Sequence, residues 1–174
     1  MRIAESKDAE AIARVHIACW QTTYQGIFPD QYLVSFSQER RENSWTKILT
    51  SQASDEFVYV VEMDGAGIVG FASAGPIRED DPIYEAEIYA IYILEEHQQN
   101  GIGRRLVKQL CQRFAEDGKK SLLVWTLEGG SSTAFYEALQ GVVVKQRTSE
   151  RGGVVFNEIA FGWQNIDTIN RPIK

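Results

Sequence analysis

The first stretch in which the sequence predicts chemistry is a short segment that contains two glycines. Gly101 and Gly103 follow a strand-like run over residues 88–94 and a polar turn, and they lead directly into a helical pattern. Glycine lets the backbone approach a bound group closely, while the N–H groups and the dipole at a helix start attract negative charge. The segment therefore predicts an anion site of the kind that holds phosphate.

Two common nucleotide-binding motifs do not fit this segment. Leu106 stands where a GxGxxG motif that starts at Gly101 requires its third glycine, and the sequence contains no GK[ST] triplet, which excludes a Walker A loop. The pattern that does fit is Q-x-x-G-x-G over residues 98–103. Taken alone, that pattern is compatible both with a pyrophosphate-binding loop and with an ordinary turn between a strand and a helix.

The elements that must position this segment follow a regular order along the chain. Hydrophobic periodicity predicts β-α-α-β-β-β-α-β-α-β-β, which is typical of a mixed α/β domain. The strand over residues 121–126 follows a helix, so we expect it to pair in parallel with the strand over residues 87–94. Ser6 is expected to cap the first helix. No repeat or linker divides the chain, so we predict one domain over residues 1–166 and a C-terminal tail over residues 167–174.

Composition is that of an ordinary globular protein and argues against several classes. The chain has 174 residues, of which 44% are hydrophobic, and a net charge of −6, so we expect no nucleic-acid partner. Cys19 and Cys111 lack metal-ligand spacing, and neither a metal nor a disulfide is expected. The N-terminus is charged at once and no apolar run approaches a membrane span, so we predict a cytoplasmic protein without membrane contact.

Two further stretches connect the glycine segment to a known family. Ile91-Tyr92-Ile93 lies just before it, and the stretch FYEALQG lies downstream at residues 135–141. Together with Q-x-x-G-x-G and the order of elements, they resemble the GCN5-related N-acetyltransferase (GNAT) superfamily over nearly the full chain. The resemblance implies the α/β fold of a single GNAT domain, in which a mixed, mostly antiparallel sheet is flanked by helices.

The resemblance implies acetyl-CoA as co-substrate, with its pyrophosphate on the glycine loop and its pantetheine arm on the end of the preceding strand. Two positions depart from the family pattern. Gly130 stands where asparagine is frequent, so Ser131 or Ser132 would have to replace its contact, and Gln99 stands where glycine is frequent. The residues that would bind the co-substrate are Ile91, Tyr92, Ile93, Gln98, Gln99, Asn100, Gly101, Ile102, Gly103, Arg104 and Ser132.

The resemblance also implies two proton-transfer roles. Glu87 matches the strand glutamate that acts as general base, and Tyr136 matches the tyrosine that protonates the departing thiolate. A backbone N–H near Ile93 would polarise the thioester carbonyl. Alternatives stay open: Glu85 acting through water, or water alone, would also serve as base, and Tyr136 would equally serve as a buried packing residue. A regular strand would place Glu87 and Tyr89 on one face.

No motif encodes the acceptor. We expect transfer to a primary amine by direct attack, without an acyl-enzyme, and a small amine as the acceptor. The alternatives are a protein N-terminus or lysine, or a non-catalytic domain that senses acyl-CoA. Aromatic faces can hold an ammonium ion. The residues expected to line the acceptor site are Trp20, Tyr24, Phe28 and Tyr32.

Three remaining features carry weaker expectations. His16 and His97 are isolated histidines, and we assign neither a role. The apolar last strand, which contains Trp163, would suit the exposed edge of a sheet at which a homodimer forms. This edge predicts that two copies of the chain can form a homodimer.

Overall fold

The structure is a computed structural model that describes residues 1–51 and 55–170. Its strands are β1 (Arg2–Ile3), β2 (Phe57–Met63), β3 (Gly67–Pro76), β4 (Ala86–Ile93), β5 (Leu122–Leu127), β6 (Val142–Arg151) and β7 (Val154–Trp163). Its helices are α1 (Ala9–Thr23), α2 (Asp30–Val34), α3 (Gln38–Thr50), α4 (Ile102–Glu116) and α5 (Ser132–Ala138). Short 3₁₀ turns cover Ser6–Asp8, Glu95–His97 and Ile166–Asn170. The predicted order is confirmed, apart from the five-residue helix α2.

The strands form one seven-stranded sheet in the order β1-β2-β3-β4-β5-β7-β6. β4 and β5 pair in parallel, and Glu87 lies opposite Leu123, as the intervening helix predicted. The β1–β2, β5–β7 and β6–β7 pairs are antiparallel. The predicted mixed, mostly antiparallel sheet is therefore confirmed.

The last strand is not an edge strand, which corrects one expectation from the sequence. β7 is hydrogen-bonded to β5 on one side and to β6 on the other, and Trp163 is buried. The edge is formed by β6, where Val142, Val143 and Val144 are exposed. The apolar character of β7 that suggested an exposed interface reflects burial on both sides of an internal strand.

The chain divides into two compact units, which are described separately. Unit 1 comprises Met1–Ser73 and Ala90–Leu106, and unit 2 comprises Ala74–Tyr89 and Val107–Lys174. Residues 52–54 and 171–174 lie outside the described residues, including the last four residues of the predicted tail.

In unit 1, α1 packs its apolar face into a core with β2 and β3. The turn that precedes α1 is held in place by Asp8. The Asp8 carboxylate accepts a hydrogen bond from the Glu5 N–H at 2.8 Å and pairs with both terminal nitrogens of Arg2 at 2.7 and 2.9 Å. The expectation that Ser6 caps the helix is therefore wrong. Ser6 starts a 3₁₀ turn whose N-cap residue is Glu5, because Asp8 offers a charged acceptor three residues further on.

In unit 2, Gly162 allows β7 to pass directly beneath the ring of Tyr84. A Cβ at this glycine would lie 2.4 Å from the Tyr84 Oη and 2.5 Å from its Cζ. Tyr84 is 3% exposed, so its ring has little freedom to move away. The glycine is therefore a packing requirement of the sheet and carries no special backbone angle.

Gly162→Ala is expected to lower the free energy of unfolding by about 2 kcal/mol or more, because one added methyl group overpacks this contact. Urea denaturation of the variant and the wild type measures the difference. Gly153→Ala is the control: no atom would lie within 4 Å of its Cβ, although its φ of +76° carries backbone strain. A larger loss for the control than for Gly162→Ala would contradict the packing explanation.

The 3₁₀ turn Ile166–Asn170 lies across residue 166, at which the sequence predicted the boundary between the domain and the tail. Ile166 and Ile169 are buried in the 3₁₀ turn that follows β7. The division into a domain and a tail stays a prediction. Within residues 1–51 and 55–170, no helix combines the length and the apolar character that crossing a bilayer requires.

Candidate functional site

The glycine loop in unit 1 connects the end of β4 to the start of α4, as predicted. The Gln98 amide nitrogen Nε2 donates a hydrogen bond to the Ile93 carbonyl at 2.9 Å, which ties the loop back to the strand. Gly101 has a φ of +72°, and the Arg105 N–H bonds to its carbonyl at 3.1 Å, so the first helical turn closes there. The first N–H groups of a helix have no partner within it, which leaves them for an anion.

The end of β4 is closely packed and precedes this loop directly. The Leu94 N–H bonds to the Val69 carbonyl at 2.9 Å. Gly70 permits a close approach, since a Cβ there would lie 3.0 Å from the Tyr92 carbonyl oxygen and 3.1 Å from the Ile93 Cγ1. The strand end that the sequence assigned to the pantetheine arm is thus held in place by its neighbour β3.

Cys19 of α1 lies against this strand end as an unreactive thiol. Burial raises the pKa of the Cys19 thiol to about 12, and the charge of Glu96 adds to this effect, while a hydrogen bond from the Ile93 backbone opposes it. Burial likewise raises the pKa of the Cys111 thiol to about 12. Both cysteines of the chain are therefore neutral near pH 7, and neither is a prepared nucleophile.

His16 occupies an aromatic cluster in unit 1 and is held as a neutral imidazole. Its ring stacks on Tyr92 with a centroid distance of 4.9 Å, and its Nδ1 accepts a hydrogen bond from the Trp45 Nε1 at 3.2 Å. Burial, followed by the charge of Arg41, lowers the pKa of His16 to about 3. Since Nδ1 is an acceptor, the proton of the neutral ring is assigned to Nε2.

This buried histidine predicts a loss of stability in mild acid. In the unfolded chain a histidine takes up a proton near pH 6.5, whereas folded His16 resists protonation until about pH 3. The contribution is present in full above pH 6.5 and is lost as the pH falls towards 3. Between pH 7.5 and pH 5 the free energy of unfolding should fall by about 2 kcal/mol from this group.

Urea denaturation at several pH values tests that expectation. His16→Gln should flatten the dependence between pH 5 and 7.5, because glutamine takes up no proton in either state. His97→Gln makes the same substitution at the other histidine of the chain and is the matched control. A slope that persists in His16→Gln would contradict the assignment.

The four aromatic residues predicted to line the acceptor site are brought together in unit 1. Trp20 and Tyr24 have centroids 4.5 Å apart, and Phe28 and Tyr32 have centroids 5.6 Å apart. Phe36 joins the cluster, with its ring 4.9 Å from Trp20. Trp20 and Phe28 are buried, while Tyr24 and Tyr32 are half-buried. Tyr24 and Tyr32 are therefore, together with Phe36, the partly exposed members of the cluster.

In unit 2, Glu87 is a buried carboxylate bound by a single arginine. Its side chain is 3% exposed. Its Oε2 accepts a hydrogen bond from the Arg78 backbone N–H at 3.2 Å, and its Oε1 accepts from Arg78 Nε at 3.1 Å and from Arg78 Nη2. The Arg78 guanidinium also lies 4.6 Å from the centroid of the Tyr89 ring. Glu87 and Tyr89 thus share one face of β4, as a regular strand requires.

The alternative base, Glu85, is exposed and already has a partner. Its Oε2 accepts a hydrogen bond from the Lys120 N–H at 2.7 Å. That contact ties the loop before β5 to the start of β4. The Glu85 carboxylate therefore has a structural role in this contact.

Tyr136 of α5 is buried against the sheet of unit 2. Its ring lies 5.6 Å from that of Phe161 and 6.3 Å from that of Trp163. Phe161 pairs with Val124, and Val124 pairs with Ile88. Paired residues share a face and successive residues alternate. Tyr136 therefore packs on the face opposite to Glu87, so the two candidate catalytic groups approach the sheet from different sides.

Comparison with known proteins decides the family. The model of the acetyltransferase (GNAT) family matches residues 17–142. The chain belongs to this family. It is an acetyl-CoA-dependent N-acetyltransferase, as the sequence predicted. The uncharacterized N-acetyltransferase YuaI of Bacillus subtilis strain 168 is 35% identical over 169 residues, which cover 97% of this chain and 95% of YuaI.

Two more distant relatives extend the comparison. The spermidine N(1)-acetyltransferase of Thermoplasma acidophilum is 24% identical over 103 residues, covering 58% of this chain and 61% of that protein. The crystal structure of the PaiA N-acetyltransferase of the same organism, in complex with coenzyme A, has a TM-score of 0.69 and 19% identity. It covers 93% of this chain and 98% of that one, which confirms the GNAT fold.

The two departures of this acetyltransferase from the family pattern have different local consequences. Gln99 has a φ of +59°, a region that glycine enters freely and other residues enter at a cost, which explains why glycine is frequent there. At Gly130, a Cβ would lie 3.2 Å from the Leu127 carbonyl oxygen, so an asparagine would need a small shift of that turn. The Ser132 hydroxyl is hydrogen-bonded to that of Thr126 at 2.5 Å.

One residue at the candidate site of this acetyltransferase could not be identified from the sequence. Arg78 supplies every hydrogen bond that the Glu87 carboxylate accepts among the described residues. A cation nine positions before a strand carboxylate is too common a signal to have singled it out. In residues 1–51 and 55–170, no group of three histidine, cysteine or acidic side chains is arranged to hold a metal ion.

Proposed function

We propose that this acetyltransferase moves the acetyl group of acetyl-CoA to a primary amine of a small cationic molecule by direct attack. The observation that carries the acceptor class is the aromatic cluster with two half-buried tyrosines, Tyr24 and Tyr32, in a chain of net charge −6. Aromatic faces and a negative field both favour an ammonium ion. The name of the spermidine-acetylating relative supports the same class.

Acetyl-CoA would bind through the glycine loop and the end of β4. The backbone at residues 101–104 would hold the pyrophosphate, because a glycine-containing loop and the positive end of a helix dipole meet there. Arg104, in the first turn of α4, would add positive charge. The edge of β4 at residues 91–93 would bind the pantetheine arm, and the Ser132 hydroxyl would contribute a further polar contact.

The state of the thiols supports direct attack over an acyl-enzyme on cysteine. An acyl-enzyme would need a nucleophilic thiolate, but burial keeps both cysteines protonated. In the proposed reaction, Glu87 takes a proton from the bound ammonium ion, and the neutral amine nitrogen attacks the thioester carbon. The carbon–sulfur bond breaks as the amide forms, and Tyr136 gives its proton to the departing CoA thiolate. The attacking nitrogen then loses its second proton to the tyrosinate or to water, which leaves a neutral amide, and Glu87 returns its proton to water.

Within Glu87, Oε2 is the oxygen suited to accept that proton. The side-chain nitrogens of Arg78 both bind Oε1, whereas Oε2 accepts one long hydrogen bond from the Arg78 backbone. A carboxylate oxygen has two lone pairs, so Oε2 keeps one lone pair that can accept a hydrogen bond from the substrate amine or from a bridging water.

Release of CoA thiol across a panel of amines tests the proposal. The panel includes spermidine, spermine, putrescine, amino acids, an aminoglycoside, and peptides with a free N-terminus or lysine. We expect the highest kcat/KM with a polyamine. The matched control is the permethylated polyamine, which keeps the charge but offers no nitrogen to acetylate.

Three outcomes would contradict the proposal. Release with peptides alone would favour the alternative of a protein N-terminal or lysine acetyltransferase. Binding of acetyl-CoA without amine-dependent release would favour a non-catalytic acyl-CoA sensor. A burst of thiol release without amine, one equivalent per chain, would show an acyl-enzyme. A homodimer and a cytoplasmic location stay predictions.

A further inference from the structure

We propose that Arg78 is a positioning residue of this reaction, which orients the Glu87 carboxylate so that Oε2 faces the amine. The inference rests on the proposed role of Glu87 as general base. It concerns a residue outside the loop, strand end and helix that bind acetyl-CoA. Arg78 would act through Glu87 and would not itself touch the reacting atoms.

The first support is the way Arg78 binds the carboxylate from two directions. Its Nε and Nη2 atoms converge on Oε1, while its own backbone N–H binds Oε2 at 3.2 Å. A guanidinium is planar and its donors are fixed relative to one another, so this arrangement defines the plane of the carboxylate. A lysine could supply the charge but not this geometry.

The second support is that the loop carrying Arg78 is itself held by ion pairs. Glu79 binds Nη1 of Arg147 on β6 at 3.0 Å, and Asp81 pairs with Lys145 on the same strand. The other Asp81 oxygen, Oδ1, accepts hydrogen bonds from the Ile83 and Tyr84 N–H groups at 2.8 and 2.9 Å. The residues that follow Arg78 are thus tied down, and its backbone N–H has a fixed position.

The third support is the aromatic surface under the guanidinium. The Tyr89 ring lies 4.6 Å from the Arg78 Cζ, and the Tyr89 hydroxyl donates to the Pro76 carbonyl at 2.5 Å. Tyr89 is therefore fixed at both ends, through its strand and through its hydroxyl. A cation over a fixed ring keeps its place even though the Arg78 side chain is 55% exposed.

The charges that face Glu87 come from few groups among the described residues. Arg78 is the cation in contact with the Glu87 carboxylate. The residue that pairs with Glu87 on β5 is the apolar Leu123. On β4 itself, Tyr89 lies under the guanidinium and Glu85 is bonded to the Lys120 N–H. Loss of the Arg78 side chain would therefore leave a buried carboxylate without its counterion, which is an unfavourable state for a buried charge.

The experiment compares pH profiles of kcat/KM for the wild type, Arg78→Ala and Arg78→Lys, with the best amine of the panel. For Arg78→Ala, the acidic limb should move to higher pH by about 1 unit or more, so that the loss of activity relative to the wild type grows as the pH falls. Activity should recover when guanidinium chloride is added at millimolar concentration, but not with sodium chloride at the same concentration. Arg78→Lys should keep the limb in place and lose kcat.

Arg113→Ala is the matched control, because Arg113 is also half-exposed and paired with a carboxylate, Asp117, at 3.0 Å. It should keep the wild-type profile. Two results for Arg78→Ala would overturn the inference, provided that the wild type acetylates its amine. One is a wild-type pH profile, and the other is a loss of kcat/KM that is equal at every pH and is not restored by guanidinium. Failure of the proposed function would show differently, as a wild type that releases no CoA thiol with any amine.

A measurement that does not depend on turnover completes the test. The carboxyl ¹³C resonance of Glu87, assigned with Glu87→Gln, can be titrated in the wild type and in the Arg78 variants. A midpoint that moves to higher pH in Arg78→Ala supports the inference, and an unchanged midpoint overturns it. If Arg78→Ala does not fold, Arg78→Lys is titrated instead. Because lysine keeps the charge but not the geometry, an unchanged midpoint together with a lower kcat supports the inference, and an unchanged kcat overturns it.

Discussion

Glu87→Gln is expected to lower kcat/KM by about a hundredfold, with the largest loss relative to the wild type at acidic pH. Glutamine keeps the shape of the side chain and can still accept hydrogen bonds from Arg78, but it cannot take the proton of the ammonium ion. Hydroxide or water must then remove it, and hydroxide becomes scarcer as the pH falls. The pH profile of kcat/KM is the measurement.

Glu158→Gln is a close control for that variant. Glu158 is also a buried glutamate bonded to an arginine, since its Oε2 accepts from the Arg147 Nε at 2.8 Å, and Arg147 lies 4.0 Å from the centroid of the Trp125 ring. Hydrogen bonds from Ser149 and Arg147 outweigh burial and hold the pKa of Glu158 below its usual value. The control should therefore lose stability and keep its pH–rate profile. An unchanged pH profile in Glu87→Gln would remove Glu87 from the mechanism.

The parts of the molecule that sequence could predict are those that depend on local rules. The glycine loop was predictable because Gly101 and Gly103 stand at a junction where backbone angles and a helix start coincide, and both belong to a pattern of fixed spacing. The parallel pairing of β4 and β5 followed from the helix between them, since such a connection returns the chain in the same direction.

The two misses have different causes, one local and one that depends on the order of the strands. Ser6 is a good capping residue, but Asp8 binds both Arg2 and the Glu5 N–H and so shifts the helix start. β7 looked like an exposed apolar strand because its pattern cannot show that β6 folds back outside it. The first outcome is decided by contacts within residues 2–8, whereas the second is decided by a strand order that no short window of sequence contains.

The candidate site shows the same division. Glu87 could be chosen from its place on a strand, but its partner could not, because Arg78 reaches it from a loop whose position depends on Arg147 and Lys145 of β6. The acceptor cluster was predictable as a set of aromatic residues. Which of them are closed off and which stay accessible depended on packing: Trp20 is buried, whereas Tyr24 is half-buried.

Tyr136→Phe is the second change with a large expected effect on catalysis, and it removes a single atom. The ring contacts with Phe161 and Trp163 do not involve the hydroxyl, so the fold and the binding of acetyl-CoA should be largely kept. The departing thiolate would lose its proton donor, and kcat should fall by about ten- to a hundredfold. Steady-state kinetics with saturating amine separates this loss in kcat from any change in KM for acetyl-CoA.

Two comparisons distinguish an acid role for Tyr136 from a packing role. Tyr84→Phe removes the hydroxyl of another buried tyrosine of unit 2, and it should leave kcat unchanged. An acetyl donor whose thiol is more acidic than that of CoA needs less protonation on leaving, so the difference between Tyr136→Phe and the wild type should shrink with such a donor. A kcat loss of the same size with both donors would assign Tyr136 to packing, and the thiolate would then leave with a proton taken from water.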